Sequence, residues 1–185
     1  MSFDIGSFRA QLQEDGARPN LFEVSLQFPS WVSTGGLAGQ KSSFLVKAAQ
    51  LPGSTIGVAP LFYFGREVKL AGNRQYQDWT VQVINDEDFV IRNALELWIN
   101  GINDPAGNIR NPNAGILDGG YGVDAIVSQF GKTGAIIKTY NLIGVWPYDL
   151  SAIELDWGAN DTVEEFAVTW AVQYMGDPVL SDLTA

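Results

Sequence analysis

Apolar and polar residues alternate in the clearest segments of the chain. Every second residue is apolar over residues 22–28, and the same pattern recurs over residues 166–174. A period of two places all the apolar side chains on one face of a β-strand, so both segments are predicted to be strands with that face in a core. Pro29 is predicted to stop the first strand. The other face of the C-terminal strand is small and uncharged, which suits close backbone approach or a neighbouring subunit.

Shorter extended segments fill much of the chain between these two strands. They are predicted at residues 44–49, 61–70, 79–84, 125–130, 136–146 and 150–157. Residues 61–70 and 79–84 are predicted to pair as a hairpin, and residues 71–74 are predicted to end its first strand. Pro147 is predicted to end the strand before it, because proline has no N–H to donate to a sheet.

Gly, Ser, Asn, Asp and Pro mark the predicted loops. Residues 33–43 and 103–122 are dense in these residues and are predicted to be long loops, and residues 14–16 to be a turn. The glycine pairs at residues 35–36 and 119–120 are predicted to be loop glycines. Neither pair has the spacing or the strand–helix context of a phosphate-binding loop.

One helix is predicted, beginning near residues 85–88. The sequence Asn-Asp-Glu-Asp provides a capping residue followed by acids that oppose the helix dipole. Apolar residues then follow at helical spacing. They are Ile91, Leu95, Trp98 and Ile102. Gly101 and residues 103–105 are predicted to end the helix. Residues 1–185 are therefore predicted to be one mainly β (α+β) domain, a sandwich or barrel of short antiparallel strands with one flanking helix.

Charge and aromatic content add a preference for assembly over catalysis. The chain has 6 Trp, 6 Tyr and 10 Phe, which fit a β core and equally fit interfaces. Its net charge of −10 argues against a surface that grips nucleic acid by neutralising phosphates. An acidic wall would instead repel a passing polyanion and keep it from binding. The excess of acids could equally serve only to keep an apolar-rich chain in solution.

The chain contains no cysteine and no histidine. This composition excludes a Ser-His-Asp or Cys-His mechanism, a disulfide framework and a Cys/His zinc site. No apolar run reaches the roughly 20 residues that span a bilayer, and the N-terminal residues lack the features of a signal peptide. Synthesis and folding in a cytoplasm, without insertion into a membrane, are therefore expected.

Three acidic clusters are the remaining candidates for chemistry. They are residues 86–88, the pair Glu154 and Asp156, and the pair Glu164 and Glu165. Paired carboxylates could hydrolyse glycosides or bind Ca²⁺. Helix capping accounts for the first cluster, however, and solvated strand faces or ends account for the other two. No catalytic, cofactor-binding or metal-binding residue is therefore predicted, and the chain is predicted not to be an enzyme.

Four stretches of the chain together form a pattern that spans nearly its whole length. They are ARPNLF at 17–22, AAQLPG at 48–53, VKLAGNR at 68–74 continuing as YQDWTVQVINDE at 76–87, and GVWP at 144–147 followed by LDW at 155–157 and the strand that ends at Tyr174. In these stretches and in their order, the sequence resembles the inner tail tube proteins of contractile-tailed bacteriophages. Residues 30–42 and 104–120 match least.

This resemblance implies a subunit that forms hexameric rings, which stack into a hollow tube in the virion. The tube is expected to lie inside a contractile sheath, to enclose a tape-measure protein, and to meet baseplate and tail terminator proteins. DNA would pass through the lumen without specific binding, and the family supplies no catalytic residues and no cofactor. The inner tube of a phage-derived injection device or tailocin is the nearest alternative.

Two alternatives come from other functional classes. A β-sandwich module that binds sugars or proteins would also have aromatic-rich strands, and Glu154 with Asp156 could form a glycosidase pair. Because the resemblance is densest within residues 61–84, this segment is predicted to lie in or beside the sheet that joins subunits. A proline at Val81 is then expected to abolish polymerisation.

Overall fold

The computed structural model describes residues 5–12, 16–115 and 120–176, and these residues are mainly β, as predicted. The elements in chain order are α1 (Ile5–Gln11), β1 (Phe22–Leu26), α2 (Gly35–Leu45), β2 (Val46–Gln50), β3 (Ser54–Tyr63), β4 (Arg66–Tyr76), β5 (Trp79–Ile84), α3 (Val90–Ile102), β6 (Val123–Phe130), β7 (Ile136–Leu150), β8 (Glu165–Ala171) and β9 (Tyr174–Gly176). The predicted turn at 14–16 and the glycine pair at 119–120 lie partly outside the described residues.

Seven of the strands form one antiparallel sheet in the order β1-β6-β7-β8-β5-β2, with β9 paired to β7. The long strand β7 joins the two halves of this sheet, because its first part pairs with β6 and β9 and its last part pairs with β8. Between the two parts lies Gly144, whose φ of +63° is one that glycine adopts without strain. The end strands β1 and β2 come close to each other, so the sheet curls into an open barrel.

The core is formed by the alternating apolar residues that the sequence indicates. Val24 and Leu26 of β1 are buried, as are alternate residues of β5 and β8. Three tryptophans dominate the interior. Trp170 packs against Trp79 with ring centroids 5.9 Å apart, and against Trp98 of α3 at 5.4 Å. Trp98 also donates from Nε1 to the carbonyl oxygen of Tyr121 at 2.9 Å, which satisfies its polar atom.

The predicted helix is present as α3, but it begins later than predicted and without the predicted cap. Phe89 precedes its first residue with a φ of +54° and makes no side-chain capping bond. The acids of residues 86–88 lie in the turn before the helix, where Asp86 and Asp88 both pair with Lys41 of α2. These acids therefore tie two helices together, and only Asp88 contacts the start of α3, by accepting from the Val90 N–H at 3.3 Å.

The prediction of a loop over residues 33–43, with Gly35 and Gly36 as loop glycines, is wrong, because this segment forms most of α2. Its small residues allow close packing: a Cβ at Gly35 would lie 2.6 Å from the Cβ of Phe28. Ser42 is buried, donates to the carbonyl oxygen of Gly39 and accepts from the Leu26 N–H. Tertiary packing thus overrides weak helix propensity. The helix continues to Leu45, so the strand predicted at 44–49 begins later, as β2.

The predicted hairpin between residues 61–70 and 79–84 is also wrong. Strand β4 pairs with β3, whereas β5 lies in the barrel between β2 and β8. Val81 is fully buried there. Strand β5 pairs on both sides and buries its apolar residues in the core of its own subunit, so it is not free to join subunits. The local sequence does not show which strands it pairs with.

Three further differences concern helices and strand ends. Besides the one predicted helix, the described residues contain α1 and α2. Strand β7 continues through Pro147, which lies opposite Trp170 at a register shift and on the side of β7 that pairs only with β8 among the described residues. No strand follows Leu150 up to residue 157, and the C-terminal strand is interrupted after Ala171 before β9.

The described parts of residues 103–122 form turns and irregular structure, as predicted. Of the helices in the described ranges, none is both long enough and apolar enough to span a bilayer.

Candidate assembly surface

Strands β3 and β4 form a separate two-stranded hairpin, which we call the arm (residues 54–76). The two strands pair only with each other in the described chain, over the length from Ser54–Tyr76 to Tyr63–Arg66. Every residue from 54 to 75 is exposed. An isolated two-stranded hairpin is marginally stable at best in water. The arm therefore gains little from its own subunit and has its surface free for another partner.

One face of the arm is apolar in its middle, next to the Tyr63–Arg66 pair at its tip. Cross-strand partners share a face, and Leu61 lies opposite Val68 while Ala59 lies opposite Leu70. Leu61 and Val68 are 57% and 48% exposed, so the face is open to solvent. The opposite face mixes apolar and charged residues. A contiguous exposed apolar face bordered by charges is typical of an interaction surface.

The tip of the arm is a two-residue turn, Phe64-Gly65, with φ values of +44° and +80°. Hairpin turns with two positive φ values favour Asn-Gly or Gly-Gly, because most side chains are strained there. Phe64 is 90% exposed, and its ring contacts Tyr63 edge-on at 4.6 Å. A bulky aromatic in this conformation costs roughly 1–2 kcal/mol. Strain of this kind, with so little burial to offset it, points to a function outside the subunit.

The base of the arm is fixed to the barrel. The Gln77 N–H donates to the carbonyl oxygen of Gly53 at 2.9 Å, closing the two chain segments where they leave the body. The Tyr148 hydroxyl of β7 donates to Asp78 at 2.7 Å, and this hydrogen bond raises the pKa of Tyr148. The arm is thus held at its root and free beyond it.

The arm and the rest of the chain have net charges of opposite sign. The arm contains Arg66, Lys69 and Arg74 against the single acid Glu67, a net charge of +2. The whole chain has 11 bases and 21 acids, so the remaining residues have 8 bases and 20 acids, a net charge of −12. A basic projection on an acidic body is complementary to the bodies of other copies.

A second exposed apolar surface lies between β7 and β8, in residues 152–165, which we call the acidic loop. It contains five acids and no base. Trp157 is fully exposed, Leu155 is 85% exposed and Val163 is 68% exposed. These residues line an open depression of about 590 Å³. Large apolar side chains this exposed are poorly accounted for by the subunit alone.

The acidic pairs of the sequence occupy three different settings. Glu154 and Asp156 both lie on the exposed acidic loop, where Asp156 accepts from the Gly158 N–H at 2.9 Å. Glu165 pairs with Lys47 at 2.6 Å, and Glu164 accepts from the Asn85 side chain. Among the described residues, no group of three or more acids could hold a metal ion.

The Lys41 ion pairs perturb both partners electrostatically. Hydrogen bonds to Asp86 and then Asp88 raise the pKa of Lys41, and the hydrogen bond from Lys41 lowers the pKa of Asp88. These groups are largely exposed, so the pairs serve to orient α2 and the turn before α3 and not to prepare a reactive centre.

Comparison with known proteins assigns this chain to a family. The phage tail tube protein family matches residues 17–175. The chain belongs to this family. The tail tube protein gp19 of Enterobacteria phage T4 is 32% identical over 167 residues, which are 90% of this chain and 94% of that protein. The tail tube protein of Serratia phage KSP90 is 24% identical over 164 residues, 88% of this chain and 90% of that protein. The chain is thus a structural component of a contractile phage tail.

Solved structures agree on the fold of this tail tube protein. One is the tube-terminating cap of the anti-feeding prophage, with a TM-score of 0.63 and 16% identity over 89% of this chain and 91% of that one. Another comes from a sheath–tube complex of an extracellular contractile injection system, with a TM-score of 0.59 and 14% identity over 95% of this chain and 97% of that one. At these identities the likeness concerns the fold alone.

The assembly surface was only partly visible in the sequence. The densest part of the resemblance, residues 68–87, covers β4 of the arm and then crosses into β5 of the core. The single strand predicted over residues 61–70 is wrong, because the Phe64-Gly65 turn divides it into the end of β3 and the start of β4, and residues 71–74, predicted to end it, lie inside β4. The β-branched residues Thr55, Ile56 and Val58 are a signal that could have located the first half of β3.

Proposed function

We propose that this tail tube protein forms hexameric rings that stack into the hollow inner tube of the tail, with the arm as a contact between copies. The observation that carries the proposal is the arm itself. The apolar middle of one face and the strained aromatic tip are exposed and pack on no core. Burial of this face against another copy would remove it from water at a gain of about 25 cal/mol per Å².

The barrel supplies a second means of association. Strands β1 and β2 end the sheet, and each pairs on one side only among the described residues. Unpaired strand edges accept the strands of neighbouring molecules, so edge pairing would join the sheets of six subunits around a lumen. Head-to-tail contacts that close produce a ring, and ring stacking then produces a filament.

The acidic body supports the conduit role. A lumen lined by acids would let DNA slide during ejection, since it repels phosphates. We further propose that the tube lies inside a sheath, encloses a tape-measure protein, and ends at baseplate and tail terminator proteins. Two solved relatives come from a sheath–tube complex and a tube-terminating cap. No catalytic step is part of this function.

Electron microscopy of the purified chain tests the proposal. We expect rings or tubes with six-fold symmetry in the wild type, and their loss in the arm variant Leu61→Ser/Val68→Ser. Phe44→Ser is the matched control, because Phe44 is 86% exposed on α2 and lies outside the arm. A wild-type chain that stays monomeric under assembly-promoting conditions would contradict the proposal and favour a monomeric binding module.

The inner tube of a contractile injection device is the second candidate. The structural relatives from an extracellular contractile injection system favour it. Capsid, portal and terminase genes beside this gene would support the phage tail, and their absence would support the injection device.

A further inference from the structure

A surface that binds the arm, called its acceptor below, must complement the arm in shape, apolar area and charge. Its tip presents two aromatic rings, Tyr63 and Phe64, and Arg66 and Lys69 follow directly in β4. A suitable acceptor therefore combines apolar surface with negative charge and leaves room for an aromatic side chain. The partner must also be present at the same concentration and in the same assembly, which favours a second copy of this chain.

The acidic loop has each of these properties. Its apolar residues, Leu155, Trp157 and Val163, are exposed in the subunit and gain from being covered. Four carboxylates, those of Glu154, Asp156, Glu164 and Glu165, line the same depression. Glu165 already pairs with Lys47, so the other three are left to complement the arm's excess of two positive charges. The depression that they line, about 590 Å³, lies within the size range of clefts that hold ligands with aromatic groups.

The other large depressions fit the arm less well. One lies near the start of β1 and the β6–β7 turn, and its lining includes Arg18, whose charge repels those of the arm. Another, beside the C-terminal half of α3, has Asp104 and Arg110 in its lining, which offset each other. A third, between β1 and α2, has Glu23 as its one charged residue. The acidic loop thus offers the arm more negative charge than these three depressions do.

We propose that the arm of one copy docks its aromatic tip into the acidic loop of a neighbouring copy. This contact rests on the proposed self-assembly and names the surface that receives the arm. The apolar contact supplies most of the affinity, and the opposite charges fix the orientation and speed the encounter.

The absence of cysteine allows a direct test by crosslinking. In the double variant Glu67→Cys/Ala159→Cys, one thiol lies near the arm tip and the other on the acidic loop, while the apolar contact residues stay unchanged. Treating assembled tubes with a short bis-maleimide should give a ladder of covalent oligomers on a denaturing gel. Glu67→Cys/Ala106→Cys is the matched control, because Ala106 is exposed on a different loop, and it should give no ladder.

Co-assembly of the two single variants shows whether different copies are joined. A mixture of Glu67→Cys chains with Ala159→Cys chains should give covalent dimers and nothing longer, since each chain then has one thiol. If the double variant forms normal tubes but crosslinks no more than the Ala106 control, the acceptor lies elsewhere and the self-assembly proposal still stands. If the wild-type chain forms no rings or tubes, the proposed function fails and this contact fails with it.

Charge reversal gives an independent readout. Arg66→Glu/Lys69→Glu and Glu154→Lys/Asp156→Lys should each raise the protein concentration needed for tubes on the order of tenfold at low salt. Combining all four changes in one chain should restore assembly. Melting temperatures of the monomers check that each variant folds. Normal assembly of a folded acidic-loop variant, or no recovery in the combined chain, would overturn the contact.

Discussion

A Cβ atom on Gly72 would lie 2.9 Å from the carbonyl oxygen of Gly57, across the two strands of the arm. The register shifts at this point, between Ile56 and Val58, so that one residue of β3 faces two residues of β4. A bulge of this kind bends a ribbon and strengthens its twist. The arm therefore bends at a bulge where Gly72 leaves no room for a side chain, whereas a Cβ on Gly57 would make only ordinary contacts with Asn73.

The first prediction concerns this close approach. We expect Gly72→Ala to push the arm strands apart and to reduce tube formation strongly, as measured by light scattering and microscopy. The melting temperature of the monomer should change by no more than about 2 °C, because the arm packs on no core. Gly36→Ala is the control, since a Cβ there meets nothing within 4 Å. Normal tubes from Gly72→Ala would show that arm geometry is not critical.

The second prediction separates turn strain from assembly. Asparagine tolerates a positive φ better than phenylalanine does, so Phe64→Asn should relieve strain in the turn. We nevertheless expect slower assembly and a higher critical concentration, because the exposed ring is lost. Sedimentation at several protein concentrations measures both quantities. If Phe64→Asn assembles as well as the wild type, the aromatic tip has no role in contacts between copies.

The third prediction compares prolines in the core and in the arm. Val81 is fully buried in β5 and lies opposite both Ala49 and Val168. Val81→Pro should therefore abolish folding of the subunit, seen as loss of a cooperative unfolding transition. Val68→Pro, in the arm, should keep that transition and lose only the tubes. Equal unfolding of both variants would show that the arm contributes to the stability of the barrel.

The fourth prediction concerns the Lys41 ion pairs and pH. Asp88 has a lowered pKa in the folded chain, so its contribution to stability is present above the ordinary carboxyl pKa near 3.8 and is lost as the pH falls through the folded pKa. Lys41 has a raised pKa, so its contribution is present below 10.5 and is lost as the pH rises through the folded pKa.

We therefore expect Lys41→Met to lower the melting temperature slightly between about pH 4 and pH 10, and to match the wild type at pH 2. Lys69→Met removes the same charge from the arm and serves as the control. A difference between Lys41→Met and the wild type that persists unchanged at pH 2 would mean that the ion pairs are not its cause.

Period-two patterns predicted the strands correctly wherever one face of a strand meets the core. Residues 22–26 and 166–171 are examples, because burial of alternate side chains leaves a direct trace in the sequence. The strand predicted over 22–28 with Pro29 as its stop ends earlier, at Leu26. The pattern could not show pairing partners. Strand β5 is close to β4 in the sequence, yet it pairs with β2 and β8, because pairing is decided by contacts between residues far apart in the chain.

Helix α2 shows a different limit. Its glycines and serines predict a loop, and they become helical only because Phe28 and β1 provide a surface that small residues fit closely. The arm was missed in part for the opposite reason. The arm has apolar residues on one side, but that side packs on no core. A pattern of apolar residues predicts the interior of a subunit, whereas these residues lie outside it.

The isolation of the arm from the barrel has an evolutionary consequence. Substitutions at Leu61, Phe64 or Val68 alter no packed core position, so they can accumulate without lowering the stability of the fold. Core residues such as Trp79 and Trp170 are constrained by each other within one subunit. Arm residues are constrained only by the surface of the next copy. The arm nevertheless contains VKLAGNR at 68–74, one of the four stretches that resemble the tail tube family. On the proposed function, relatives that keep this stretch keep it because of the contact between copies and not because of the packing of one subunit.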